Sequence, residues 1–161
     1  MSLLSQKLEA GEFVVTAEIA PPKGTNLTPA LAAVEKFEGV TAVNVTDNQG
    51  ANMRMSALAL AAQLQQAGTE TILQLTCRDR NRMALQSDLL GAATFGIENL
   101  LLLSGDHSKF GDHPDARPVF DLDSVQLLDM TAGLMAGFDM VGKPLNGVPN
   151  FFPGAAVNPA A

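Results

Sequence analysis

The sequence predicts an α/β protein built from parallel strand–helix–strand units. Three observations carry this. Short apolar runs alternate regularly with longer segments of helical periodicity. The apolar runs are apolar on both faces, as strands of a parallel sheet covered by helices must be. Three of the helical segments run into a glycine, the residue that most easily adopts the left-handed conformation ending a helix.

The elements follow in order. Phe13–Ala20 (FVVTAEIA) reads as the first strand. Thr28–Gly39 reads as a helix, with Thr28 as cap, Pro29 in the first turn and Gly39 as its end. Val40–Asp47 (VTAVNVTD) is the second strand and Met55–Gly68 the second helix. Glu70–Cys77 (ETILQLTC) is the third strand and Asn81–Gly96 the third helix. Asn99–Gly105 (NLLLLSG) is the fourth strand. The polar stretch Asp106–Asp121 is long enough to be a functional loop. Ser124–Asp139 is the fourth helix, and Phe151–Pro159 begins like a fifth strand. Crossovers of this kind are right-handed. Two architectures fit: an open doubly wound sheet, or part of a (β/α)₈ barrel. No glycine-rich dinucleotide or P-loop fingerprint follows any strand, which weighs against nucleotide folds of those types.

Composition narrows the partners. The 161 residues are 47% hydrophobic and 17% charged, a globular composition with enough apolar material for a core. Seventeen acids against ten bases give a net charge of −7, which disfavours nucleic acid or an anionic membrane as partner. The single cysteine, Cys77, excludes an internal disulfide and fits a reducing compartment. The amino-terminal stretch lacks the apolar segment of a signal peptide, and the longest apolar run is far too short to span a bilayer. A cytoplasmic location is expected.

Polar residues gather at the carboxyl ends of the strands, where both architectures place their sites. Glu18 ends the first strand, two residues before Pro21-Pro22; Thr46-Asp47-Asn48 ends the second; Gln74 to Asp79 ends the third; Ser104-Gly105-Asp106 ends the fourth. A buried, unpaired carboxylate costs several kcal/mol, so Glu18 is expected either to pair with a base such as Lys23 or to work. In apolar surroundings a carboxyl holds its proton more tightly and can act as a general acid near neutral pH. Asp106 reads as a turn cap or as a ligand-facing carboxylate beside the Ser104 and Gly105 amides. His107 and His113 repeat in GDHSKFGDH, but glycine-rich spacing fixes no ligand geometry and no metal is expected. Cys77 reads as a small buried hydrophobe, and the methionines as core filling.

Taken together and in order, AEIAPPKG, VNVTDN, LQLTCRDRNR and NLLLLSGD resemble the methylenetetrahydrofolate reductase family of flavoproteins, over nearly the whole chain. VNVTDN…NMRMS and AAVNP resemble the branch found in fused or multi-subunit bacterial enzymes. The resemblance implies a (β/α)₈, TIM-type barrel that binds FAD at its strand ends. It implies that NAD(P)H reduces the flavin, which reduces methylenetetrahydrofolate to methyltetrahydrofolate. Glu18 then matches the general acid, and Asp106 the aspartate that steadies the developing cation. Thr46, Gln74, Leu103, Ser104, Gly105, Phe120, Asp121 and Val157 match flavin-side positions, with Asp106 beside them. Gln74, Ser104 and Val157 depart from the histidine, arginine and tyrosine frequent there.

A barrel of this kind takes roughly eight units and about 250 residues, whereas about four units and the start of a fifth are legible here. The resemblance therefore implies that 1–161 is one domain, the amino-terminal half of a flavin-binding barrel, needing the other half or an oligomeric partner. The alternative is a pterin- or folate-binding module without redox chemistry, or a non-catalytic subunit.

Overall fold

The computed structural model describes residues 1–159. Five strands, β1 (Thr16–Ile19), β2 (Ala42–Val45), β3 (Thr71–Thr76), β4 (Asn99–Leu103) and β5 (Phe152–Ala155), form one parallel sheet in sequence order. Helix α1 (Leu3–Glu9) precedes the sheet. Helices α2 (Thr28–Val34), α3 (Ala57–Gln66), α4 (Arg82–Thr94) and α5 (Ser124–Met135) connect its strands. A doubly wound sheet reverses its order at a switch point. The order here never reverses, so the winding is that of a partial TIM-type barrel, with the sheet not closed and β1 and β5 at its edges.

Strand alternation divides the sheet into two faces. Val43, Val45, Leu73, Leu75, Leu100 and Leu102 point to the helices and pack against Leu60, Leu64, Leu85, Leu89, Leu127 and Leu134. Most of these leucines are fully buried, each contributing roughly 1.5–3 kcal/mol relative to exposure. The other face is the inner wall of the barrel. It carries Glu18, paired in register with Asn44, and Gln74, paired with Leu101.

Helix α1, which the sequence reading left unassigned, covers the amino-terminal part of that inner face. Its Leu4 packs with Ala42 and Ile72, beside Val14 and Leu101. Ser2 caps the helix by accepting from the Ser5 N–H. Glu70, preceding β3, accepts from the Leu3 and Leu4 amides at 2.8 and 2.7 Å and from Asn99 Nδ2 at 3.1 Å. A carboxylate there satisfies helix-start donors and complements the helix dipole. The signals were present, a Ser2 cap and Gly11 with φ +71° after the helix, but a single short helix has no neighbours in the repeat to announce it.

Several element ends differ from expectation. Thr28 does not cap α2; it is the first helical residue, and Asn26 Oδ1 accepts its N–H at 3.1 Å. The helix stops at Val34, five residues before Gly39, because Lys36 and Phe37 turn back in tighter bonds to Ala33 and Val34. β1 is shorter than the apolar run, since an edge strand is paired on one side only. Asn81 caps α4, and Asp123 with Gln126 forms a reciprocal capping box on α5.

Candidate functional site at the strand ends

The carboxyl ends are held by a frame of charge. Asp47, after β2, has a side chain only 2% exposed. It accepts from the Thr76 N–H at 2.9 Å, the Thr76 hydroxyl at 2.8 Å and Arg80 Nη1 at 2.6 Å. Arg80 also donates to Asp88 on α4 at 2.8 Å. Burial works against the Arg80 charge, but Asp47 and Asp88 outweigh it and hold the guanidinium above its usual range. Arg78, 3% exposed, grips Asp79 with two donors and also donates to the backbone carbonyls of Asp106 and Asn48. Its bond to Asp79 leads in raising its pKa. Burial opposes charge on Asp79, yet the bonds from Arg78 and Asn48 prevail and keep its carboxyl below the ordinary range. Arg78 thus bolts together the loops after β2, β3 and β4. Cys77 is buried as expected, its thiol pushed up to about 11 by burial, with Asp123 adding and Arg80 opposing.

Within this frame lies an open cleft of ≈ 390 Å³. Of the residues singled out by sequence, Gln74, Leu103, Ser104, Gly105 and Asp106 line it together. Gly105 stands at φ +89°, and a Cβ there would lie 3.0 Å from Thr76 Cβ, so the wall closes against β3 only because residue 105 has no side chain. Ser104 Oγ accepts from the Ser124 N–H at the start of α5. The exposed Asp106 carboxylate accepts no hydrogen bond from another described residue. Thr46 lies one step beyond the Val45–Leu73 pair, alongside Gln74. Its hydroxyl is buried without a hydrogen-bond partner, an exception to the rule that buried polar groups are satisfied.

Glu18 is exposed, which corrects the expectation of a carboxylate desolvated by apolar neighbours: it lies on an edge strand, and no described strand covers its free side. Nor does it pair with Lys23, which bonds Asp112 instead. Two amides hold it. Gln49 Nε2 donates to Oε1 and Gln74 Nε2 to Oε2, each at 3.2 Å. Both glutamines line the cleft, so Glu18 sits at its margin.

Besides Thr46 and Glu18, three of the sequence candidates are not brought into the cleft lining. Asp121 binds Arg82 on α4 through its backbone N–H, Nε and Nη2, and those bonds hold its carboxyl down at about 2. Phe120, at φ +41°, stands against the His107 ring with centroids 6.2 Å apart. Val157 is exposed, one residue beyond Ala156, which does line the cleft.

Of the segment after β2, the sequence reading named Asn48 as a strand-end residue but missed Gln49, Gly50 and Ala51 beyond it. Asn48, Gly50 and Ala51 all have positive φ, at 46°, 61° and 58°. For the two non-glycine residues this costs of order 1–3 kcal/mol each and persists only where the surroundings impose it. Asn48 supplies three such ties, accepting from the Arg54 N–H, donating to Asp79 and accepting from Arg78 on its carbonyl. Gly111 presses from the other side; a Cβ there would fall 1.8 Å from the Ala51 carbonyl oxygen. Asp112 joins this loop to the one after β1, binding Lys23 and accepting from the Met53 N–H. His107 accepts from the Lys109 amide, and His113 pairs with Asp112. No group of three or more His, Cys, Asp or Glu among the described residues is arranged to hold a metal. No described helix is long and apolar enough to cross a membrane.

A sequentially ordered, unclosed parallel sheet with a polar cleft at its strand ends is the architecture of a partial TIM-type barrel. The chain belongs to the methylenetetrahydrofolate reductase family, whose model matches residues 3–149. It is therefore an oxidoreductase-family domain of one-carbon metabolism, of the kind that reduces a folate. No curated protein matches the chain.

Proposed function

We propose that this chain forms the amino-terminal part of a flavin-dependent reductase that converts methylenetetrahydrofolate to methyltetrahydrofolate at the expense of NAD(P)H. The observation that carries the reading is the buried Thr46 hydroxyl without a partner, alongside the cleft-lining Gln74. A polar ligand seated there would satisfy it. The residues fit a flavin on three further counts. Gln74 offers an amide, Gly105 allows close approach of backbone, and Leu103 supplies an apolar face. In this reading Thr46, Gln74, Leu103, Ser104 and Gly105 would hold FAD, with Phe120, Asp121 and Val157 as further flavin-side positions that the resemblance implies.

Bound FAD supplies the hydride and is recharged by NAD(P)H. The residues of the chain supply the proton and the electrostatics. The bridging carbon of the substrate accepts a hydride only once one of its C–N bonds opens to leave an iminium. The departing nitrogen then needs a proton, and Glu18 delivers it. The Asp106 carboxylate, which accepts no hydrogen bond from another described residue, stabilises the positive charge that develops. The open β1 edge leaves Glu18 in water. We propose that further barrel strands, or a partner chain, cover that edge and dry the site. The buried thiol of Cys77 is compatible with the cytoplasm as its compartment.

The test is a titration with FAD followed by its visible absorbance and fluorescence. Saturable binding is expected, and Thr46→Val should weaken it about tenfold, one hydrogen bond's worth. The same variant should leave the ligand-free protein at least as stable as before, since it replaces a buried hydroxyl without a hydrogen-bond partner by a methyl group. Unsaturable flavin uptake, or unchanged affinity in Thr46→Val, would count against this assignment.

A further inference from the structure

Glu18 is held by two amides that differ in kind. Gln74 is buried on the central strand β3, where it lines the cleft. Gln49 is exposed on the loop after β2, and it reaches Glu18 Oε1 at 3.2 Å. The backbone that carries Gln49 is strained and clamped, flanked by left-handed residues at 48, 50 and 51 and tied to Arg54, Arg78 and Asp79. The loop is thus rigid while the amide at its tip has room to turn.

An ionised carboxylate accepts from amide N–H groups; a protonated one must also donate. With both glutamines presenting Nε2, the bonds observed suit the ionised form. To hold its proton on these amides rather than on water, Glu18 needs one of them to turn its carbonyl toward it. Gln49, the exposed one of the two, turns with the least constraint.

We propose that Gln49 is a positioning residue for Glu18, reversing its amide as Glu18 gains and loses its proton and so placing that proton on Oε1. The catalytic consequence rests on the acid role given to Glu18 above; the hydrogen-bond exchange does not. The other charged groups lining the cleft are Asp47, Arg78 and Asp106. Asp47 and Arg78 are committed to Arg80 and Asp79, so Asp106 is the titrating neighbour to control for.

The side-chain amide resonances of Gln49, followed by ¹⁵N NMR against pH, read the exchange directly. They are expected to move through a single titration step that Glu18→Gln abolishes and Asp106→Asn leaves in place. Resonances indifferent to pH, or moving equally in Glu18→Gln, would overturn the proposal. In turnover by the FAD-loaded enzyme, Gln49→Leu is expected to lower kcat about tenfold with KM held within about twofold. An unchanged kcat, or a KM that rises as kcat falls, would overturn it as well. Full turnover in Glu18→Gln would instead remove the acid role of Glu18 and leave the amide exchange standing.

Discussion

Replacing Asp47 by alanine tests the idea that a buried ion pair, rather than packing alone, shapes the strand ends. The side chains of Asp47 and Arg80 are 2% and 16% exposed, so solvent screens the pair little. Removing the carboxylate strands three partners at once: the Thr76 amide, the Thr76 hydroxyl and a guanidinium that keeps only Asp88 and the Thr76 carbonyl. Breaking a buried pair from one side costs about 3–5 kcal/mol, a large share of the roughly 5–15 kcal/mol that holds a domain together. With a urea m-value of about 2 kcal/mol/M, the midpoint should fall by about 1.5–2.5 M with m unchanged. Replacing both residues, as Asp47→Ala with Arg80→Met, should recover part of the loss, because no charge is then left unpaired. A midpoint shift under about 0.5 M for Asp47→Ala, or a double variant less stable by the sum of its singles, would refute the reasoning.

The remaining predictions concern the cleft wall and the loop after β4. Gly105→Ala places a Cβ at φ +89° and 3.0 Å from Thr76; it should cost about 1–3 kcal/mol in urea unfolding and abolish saturable flavin binding. Asp121, held down at about 2 by Arg82, contributes stability that is fully present above its unfolded pKa of about 4 and is lost as pH falls toward 2. Acid unfolding of Asp121→Asn should therefore lack a component in that window, and an acid profile identical to that of the parent would count against the pairing.

How much was legible depended on range. The alternation of apolar runs and helices set the five strands and their connections, and the observed sheet keeps their order. The strand-end rule singled out Gln74, Ser104, Gly105 and Asp106, the resemblance added Leu103, and one cleft collects all five. Where the reading failed, the cause was an interaction between distant residues. α1 is held by Glu70 and Asn99, about seventy and a hundred residues further along the chain, so no local period marked it. Phe120 and Asp121 belonged to a loop whose path is set by Arg82 and His107. Gln49 carried no signal at all, being a polar residue in a polar loop.

Periodicity and punctuation are local, and so the sequence by itself determined the class of fold, the succession of units and the end of the sheet where chemistry gathers. The tertiary structure alone decided which charges cancel, which hydroxyl is left unsatisfied and which amides hold Glu18. Asp47 and Arg80 look like two ordinary loop charges in the chain, and become a buried pair only when β2 and β3 lie side by side. The exposure of Glu18 was decided in the same way. Apolar neighbours in sequence point to alternate faces of a strand, so whether a side chain is dry depends on what lies across the sheet and not on what lies beside it in the chain.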